Sequence, residues 1–143
     1  MNKYIGLDLG TNSLGIVVSD SLGIVHNKEN YNFERGNYKK ARIHLIELIN
    51  REQIYNIVIG LPLQIDREEG ERCKSVRRFI EDLQKEMDNL KVIFFDESYS
   101  TIEARERLEE MGLKKDEIKK RIDMMSAFVI LEDYLRSIKN GTN

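Results

Sequence analysis

Three extended stretches lie back to back before the first helical period in this chain: Lys3–Leu9, Leu14–Ser19 and roughly Ile24–Phe33, joined by the turn-like segments GTNS and DSLG. Connections this short leave no room for a crossover, so the three strands are expected to run as an antiparallel meander. The period then changes. Ala41, Leu45, Leu48 and Ile49 recur at helical spacing from about Tyr38 to Arg51. A short apolar strand follows at Tyr55–Ile59, and beyond Gly60-Leu61-Pro62 the charged stretch from Gln64 to Arg72 reads as a loop. Cys73, Val76, Ile80, Leu83 and Met87 form the buried stripe of a second helix, and Val92–Phe95 is another strand. Ser100-Thr101-Ile102-Glu103 has the form of a capping box, which predicts a helix from Ser100 to about Met111, stopped by Gly112. After the charged segment KKDEIKKR a last helix carries Met124, Phe128, Leu131, Leu135 and Ile138 on its buried stripe. The order βββαβαβαα predicts an α/β fold: a five-stranded mixed sheet, made of a three-strand antiparallel meander plus two parallel strands, flanked by helices. Its crossovers should be right-handed.

A chain of 143 residues is expected to form one domain, residues 1–143, with a sizeable core. Its 41% hydrophobic and 34% charged residues, with a single proline, argue for a globular protein and against disorder. Charges interrupt every apolar run before membrane-spanning length, and the N-terminal MNKYIGLDLG reaches Asp8 before a signal-length apolar core forms. A cytoplasmic protein without a membrane partner is therefore expected. The lone Cys73 excludes an internal disulfide and a cysteine-rich metal site, and reads as a helix-face residue. The net charge of −2 provides no global basic field for nucleic acid. Basic residues are nevertheless bunched, in Lys39, Lys40 and Arg42, in Arg72, Lys74, Arg77 and Arg78, and in Lys114, Lys115, Lys119, Lys120 and Arg121. Each bunch is either a solvated helix face or a phosphate contact.

Asp8 interrupts the first strand in IGLDLGTNSLG. A carboxylate buried in a sheet without a partner is costly, so a cation or solvent must attend it. Ligand sites of open α/β sheets form outside the carboxyl ends of the parallel strands. Asp8 lies near that end of the first strand and Glu97 just past that end of the last, so the two acids should meet there. Asp123 is the third candidate, placed at the start of the final helix beside small Ser126 and Ala127, which would allow a close approach to the sheet. Three acids without a neighbouring histidine or cysteine make a hard-oxygen site suited to magnesium or manganese. Two such ions about 4 Å apart can activate water and stabilise the leaving oxygen of a phosphodiester.

The motifs IGLDLGTNSLGIVVSD, VIGLPLQID with Glu69-Gly70 downstream, FFDESYSTIEA and IDMMSAFVILEDYL occur in the order of the YqgF/RuvX family of ribonuclease H-like nucleases. The chain resembles that family from Lys3 to about Leu135. The first motif alone is also similar to the opening segment of RuvC-like nuclease domains and to the phosphate loop of heat-shock and actin-type ATPases. The resemblance implies a metal-dependent endonuclease acting on structured nucleic acid. Its substrate would be the 5′ end of a 16S ribosomal RNA precursor or branched DNA at a Holliday junction, with the ribosome as a possible partner and a monomer or homodimer as the assembly. It carries the acidic site onto Asp8, Glu97 and Asp123. The chain departs from the family pattern where a basic pair is usual after DLGT, here Asn12 and Ser13, and where DER is usual, here Asp96-Glu97-Ser98. The GLP loop carries Gln64 and Arg67 in place of asparagine and glycine. Phosphate contacts are therefore expected at Arg67, Arg72, Lys119, Lys120 and Arg121. Ser100 is assigned to helix capping, since neither histidine is placed to activate it.

Three functional classes follow: a metal-dependent nuclease, a two-domain ATPase and a catalytically silent nucleic-acid or ribosome-binding protein. Chain length disfavours the ATPase, whose nucleotide lies between two domains.

Overall fold

The computed structural model describes residues 2–63, 68–97 and 99–141. In chain order the elements are β1 (Ile5–Leu9), β2 (Ser13–Ser19), β3 (Val25–Asn32), α1 (Tyr38–Glu52), β4 (Asn56–Leu61), α2 (Glu71–Glu86), β5 (Lys91–Asp96), α3 (Ser100–Glu110) and α4 (Lys115–Lys139). The strands form one sheet in the order β3-β2-β1-β4-β5. β1 pairs antiparallel with β2 and β2 with β3, whereas β1–β4 and β4–β5 are parallel. The meander and its two parallel companions therefore form as expected from the short turns and the later strand–helix alternation.

Strand alternation divides the sheet into two unlike faces. Ile5, Leu7 and Leu9 of β1, Leu14, Ile16 and Val18 of β2, and Ile57 and Ile59 of β4 pack against α1 and α2. Those helices answer with Ala41, Leu45, Leu48 and Ile49 and with Cys73, Val76, Phe79, Ile80 and Leu83. On the other face Tyr4, Val17 and Val58 meet Ala127, Ile130, Leu131, Tyr134 and Leu135 of α4. α3 ends where expected: Gly112 adopts φ +81°, a conformation costly for any side-chain-bearing residue, and Leu113 N–H closes the turn onto Leu108 C=O at 3.3 Å.

Three expectations are corrected. The charged segment KKDEIKKR is the first part of α4, which begins at Lys115, so Asp123 stands two turns inside the helix and not at its start. Of these early residues only Ile118 is buried, and one apolar residue among charges leaves no stripe to read. The buried stripe of α4 also runs through Ser126, Ala127, Val129, Ile130 and Tyr134 as well as Leu131 and Leu135, while Met124, Phe128 and Ile138 are only partly buried. At α3 the N-cap is Tyr99, and Ser100 donates its hydroxyl to the Glu97 carbonyl at 2.9 Å; it does not cap the helix with an accepted hydrogen bond. Finally, Arg72 belongs to the first turn of α2 and not to a loop. Gly70, which precedes that helix, has no side chain with which to announce its start.

Candidate functional site: a carboxylate cluster at the strand ends

The glycine-rich face of the sheet brings α4 close. Asp8 lies opposite Gly15 in the β1–β2 ladder. A Cβ on Gly15 would stand 2.0 Å from the Asp123 carbonyl oxygen, so only glycine lets the α4 backbone lie on the sheet there. Gly10 clears space for the Asp123 carboxylate in the same way, its Cβ position being 2.7 Å from Oδ2. Gly60 of the GLP segment lies under Glu97 and Ile130 of α4, where a Cβ would stand 2.6 Å from Glu97 Oε2. Glu97 itself follows directly on β5, with its N–H directed to the Leu61 carbonyl at 3.3 Å. Three elements distant in sequence thus deliver Asp8, Glu97 and Asp123 to the carboxyl ends of β1, β4 and β5.

The cluster is nearly withdrawn from water. Asp8 is 6% exposed and Glu97 8%. Burial, followed by the charges of Glu97 and Asp123, holds the Asp8 carboxyl well above the ordinary aspartate range. Burial also lifts Glu97, to about 7, with the Asp123 charge adding to the rise and Asp8 and Arg72 opposing it. Asp123 is raised by burial against a hydrogen bond from Ser13 and the field of Arg72. Glu97 Oε2 is buried without a hydrogen-bond partner among the described residues. Without a cation, the Asp8–Glu97 pair retains a proton into the neutral range.

Arg72 supplies the compensating field. Its guanidinium donates to the Leu9 carbonyl, one residue past Asp8, and to the Tyr38 hydroxyl at 3.3 Å. From there it lowers the carboxyl pKa of all three acids.

A family model described as "RuvX: Holliday junction resolvase" matches residues 2–137. The chain belongs to the RuvX family. A curated relative from Fusobacterium nucleatum, named "Putative pre-16S rRNA nuclease", is 35% identical, the match covering 94% of this chain and 97% of the relative. A Lachnospira eligens protein of the same name is 36% identical, with the same two coverages. Among solved structures, Thermus thermophilus RuvC in complex with a Holliday junction superposes with a TM-score of 0.61 at 13% identity, covering 99% of this chain and 98% of that one. The yeast mitochondrial Holliday junction resolvase Ydc2 superposes at 0.58 and 12%, covering 99% and 82%. The fold of this RuvX-family chain is therefore that of the ribonuclease H-like resolvases.

Of the residues selected from sequence, Asp8, Glu97, Asp123 and Arg72 come together in the RuvX-family fold. Lys119, Lys120 and Arg121 are exposed on α4. Lys119 and Lys120 stand four and three residues before Asp123, so they share its side of the helix one turn away. Arg67 and Ser98 lie outside the described residues. Ser13, which stands where the family pattern has a basic residue, is a site residue that no local pattern marks: its hydroxyl donates to Asp123 Oδ2. Asn30 also escaped notice, because its contact spans 94 residues and leaves no local pattern. Among the described residues no three carboxylates stand ready-made as the ligand set of a single ion. The donor set is nonetheless all oxygen, and the unpartnered Glu97 Oε2 points to a missing partner, which fits a hard divalent cation. No helix among the described residues is long and apolar enough to cross a membrane.

Proposed function

We propose that this RuvX-family chain is a divalent-metal-dependent nuclease of the cytoplasm, one domain over residues 1–143, that trims the 5′ end of a 16S ribosomal RNA precursor. The observation that carries the reading is the buried acid cluster with its orphaned oxygen at the carboxyl ends of the parallel strands. Burying Asp8 and Glu97 and half-burying Asp123 destabilises the fold, and an ion that neutralises them offsets that cost. Asp8, Glu97 and Asp123 would hold Mg2+ or Mn2+, with Asp8 shared between two ions if two bind. When bound, the metal supplies Lewis acidity towards a phosphodiester. Around it, Ser13 orients Asp123, and Arg72 sets the local field from its anchor on Leu9. Lys119, Lys120 and Arg121 lie along α4, where a phosphate backbone entering the site would pass, and Arg67 is a further proposed phosphate contact. The pre-rRNA substrate rests on the names of the near full-length relatives, and the ribosome is proposed as the partner that would carry that RNA.

The family description favours a second substrate, the four-way DNA junction. Resolving it would need a homodimer that presents two symmetry-related sites, whereas trimming an RNA end needs only a monomer. The test is a cleavage assay with Mg2+ or Mn2+ on both a precursor 16S fragment and a four-way junction, comparing wild type with Asp8→Asn. A metal-dependent cut lost in the variant is the expected result, and the substrate cut chooses between the two roles. No cut on either, with binding intact and ribosomes supplied, would identify a silent binding protein instead.

A further inference from the structure

We propose that Asn30 of β3 is a positioning residue for Asp123; the inference rests on the nuclease reading above and adds to it a group that touches neither metal nor substrate. Over Gly15, α4 presents one peptide group to the sheet, the one joining Asp123 to Met124. Its carbonyl oxygen, carbonyl carbon and nitrogen lie 2.0, 2.2 and 2.5 Å from where a Cβ of Gly15 would be, so this peptide rests flat on bare strand backbone. Its N–H is donated to the Asn30 side-chain oxygen at 2.9 Å. Gly15 and Asn30 are direct partners in the β2–β3 ladder. One strand position thus vacates the space and its neighbour supplies the acceptor.

A peptide group is planar and rigid, so anchoring its N–H fixes the plane that leads back to the Asp123 Cα. The carboxylate is held at its other end by the Ser13 hydroxyl. With backbone and side chain each tied to the meander, Asp123 sits at a set height above Asp8 despite standing mid-helix on an element whose preceding turns touch solvent. Charge plays no part in the Asn30 contact. What Asn30 contributes is the register of α4 against β2 and β3 where the third acid is presented.

The test compares wild type, Asn30→Ala, Asn30→Asp (which keeps the acceptor) and Asp8→Asn as the control for the site itself. Three quantities are read: hydrogen exchange at the Met124 amide, the Mn2+ dissociation constant measured by calorimetry without nucleic acid, and kcat and KM for cleavage. Loss of one part-buried hydrogen bond predicts, for Asn30→Ala, about tenfold faster Met124 exchange, several-fold weaker Mn2+ binding and a kcat lower by about tenfold. KM should stay unchanged, and Asn30→Asp should restore slow exchange and most of kcat. Faster exchange with unaltered Mn2+ binding and kcat would make Asn30 a structural residue only and overturn the inference, as would unaltered exchange. Failure of the nuclease reading would look different and would take the Asn30 inference with it: wild type itself would make no metal-dependent cut, and Asp8→Asn would match it in Mn2+ affinity. Loss of both in Asp8→Asn, with both retained in Asn30→Ala, would remove the Asn30 inference alone.

Discussion

The two faces of the sheet are built from the same strands and follow opposite rules. Towards α1 and α2 the inward positions of β1, β2 and β4 carry branched aliphatic side chains, and the helices stand off at the distance those side chains impose. Towards α4 the strands present Gly6, Asp8, Gly15 and Gly60, and the helix approaches until its backbone rests on theirs. The first face gains stability from apolar volume. The second has a smaller apolar core along α4 and gives up volume at the strand ends to hold charge out of water, a destabilising arrangement that persists because the first face over-determines the fold. A site of this kind can be afforded only on a sheet whose opposite side is fully packed.

Mutations should separate the faces cleanly. Asp8→Asn is expected to lower cleavage by about a thousandfold, the scale of several kcal/mol of lost transition-state stabilisation. The same change should raise the melting temperature at pH 8 in chelator, because it removes a buried charge. A variant that lost stability as well would break the contrast. Leu45→Ala, on the packed face, should cost about 2–5 kcal/mol in denaturant unfolding while leaving activity per folded molecule intact. Gly15→Ala forces a methyl group against the Asp123 peptide; a loss of roughly 1–3 kcal/mol together with reduced Mn2+ affinity is expected.

The acid face should also respond to pH where the packed face does not. Glu97 is raised from 4.5 to about 7 in the folded chain. Below the unfolded value both states hold the proton and stability is full; as pH rises through about 7 the folded state must give up a proton that it binds more tightly, and stability is lost. Melting in chelator should therefore be lower at pH 8 than at pH 5 by several degrees. Glu97→Gln should flatten this dependence, and Mg2+ should largely cancel it at pH 8. The smallest effect is expected on α4: Lys119→Glu with Lys120→Glu should weaken nucleic-acid binding modestly and reduce the log–log salt slope by about two. An unchanged slope would place the phosphate path elsewhere.

Sequence made the packed face legible and only half of the acid face. Alternation and helical spacing are local signals, so the strands, α1 and α2 emerge with bounds close to those observed. Asp8 and Glu97 were readable because each sits at a strand end, where topology alone brings them together. The start of α4 was not, since Ile118 is the one buried residue in its first two turns and the surrounding lysines and acids read equally well as a loop. That error also made Asp123 look like an N-terminal helix acid, when its true setting is mid-helix over Gly15. Ser100 matched a capping pattern, yet its hydroxyl is committed to Glu97. The contacts of Ser13 and Asn30 depend on how α4 docks, which no local spacing encodes.

The contact between Ser13 and Asp123 spans 110 residues, and α4 follows every other described element in the chain. During synthesis the meander with Asp8 can form early, but closing so long a loop is entropically slow and awaits a helix that emerges after the other described elements. The third acid thus reaches the cluster only when the helix that seals the second core has docked. Docking of α4 and assembly of the carboxylate centre are one event, so a chain not yet made through α4 carries no assembled centre.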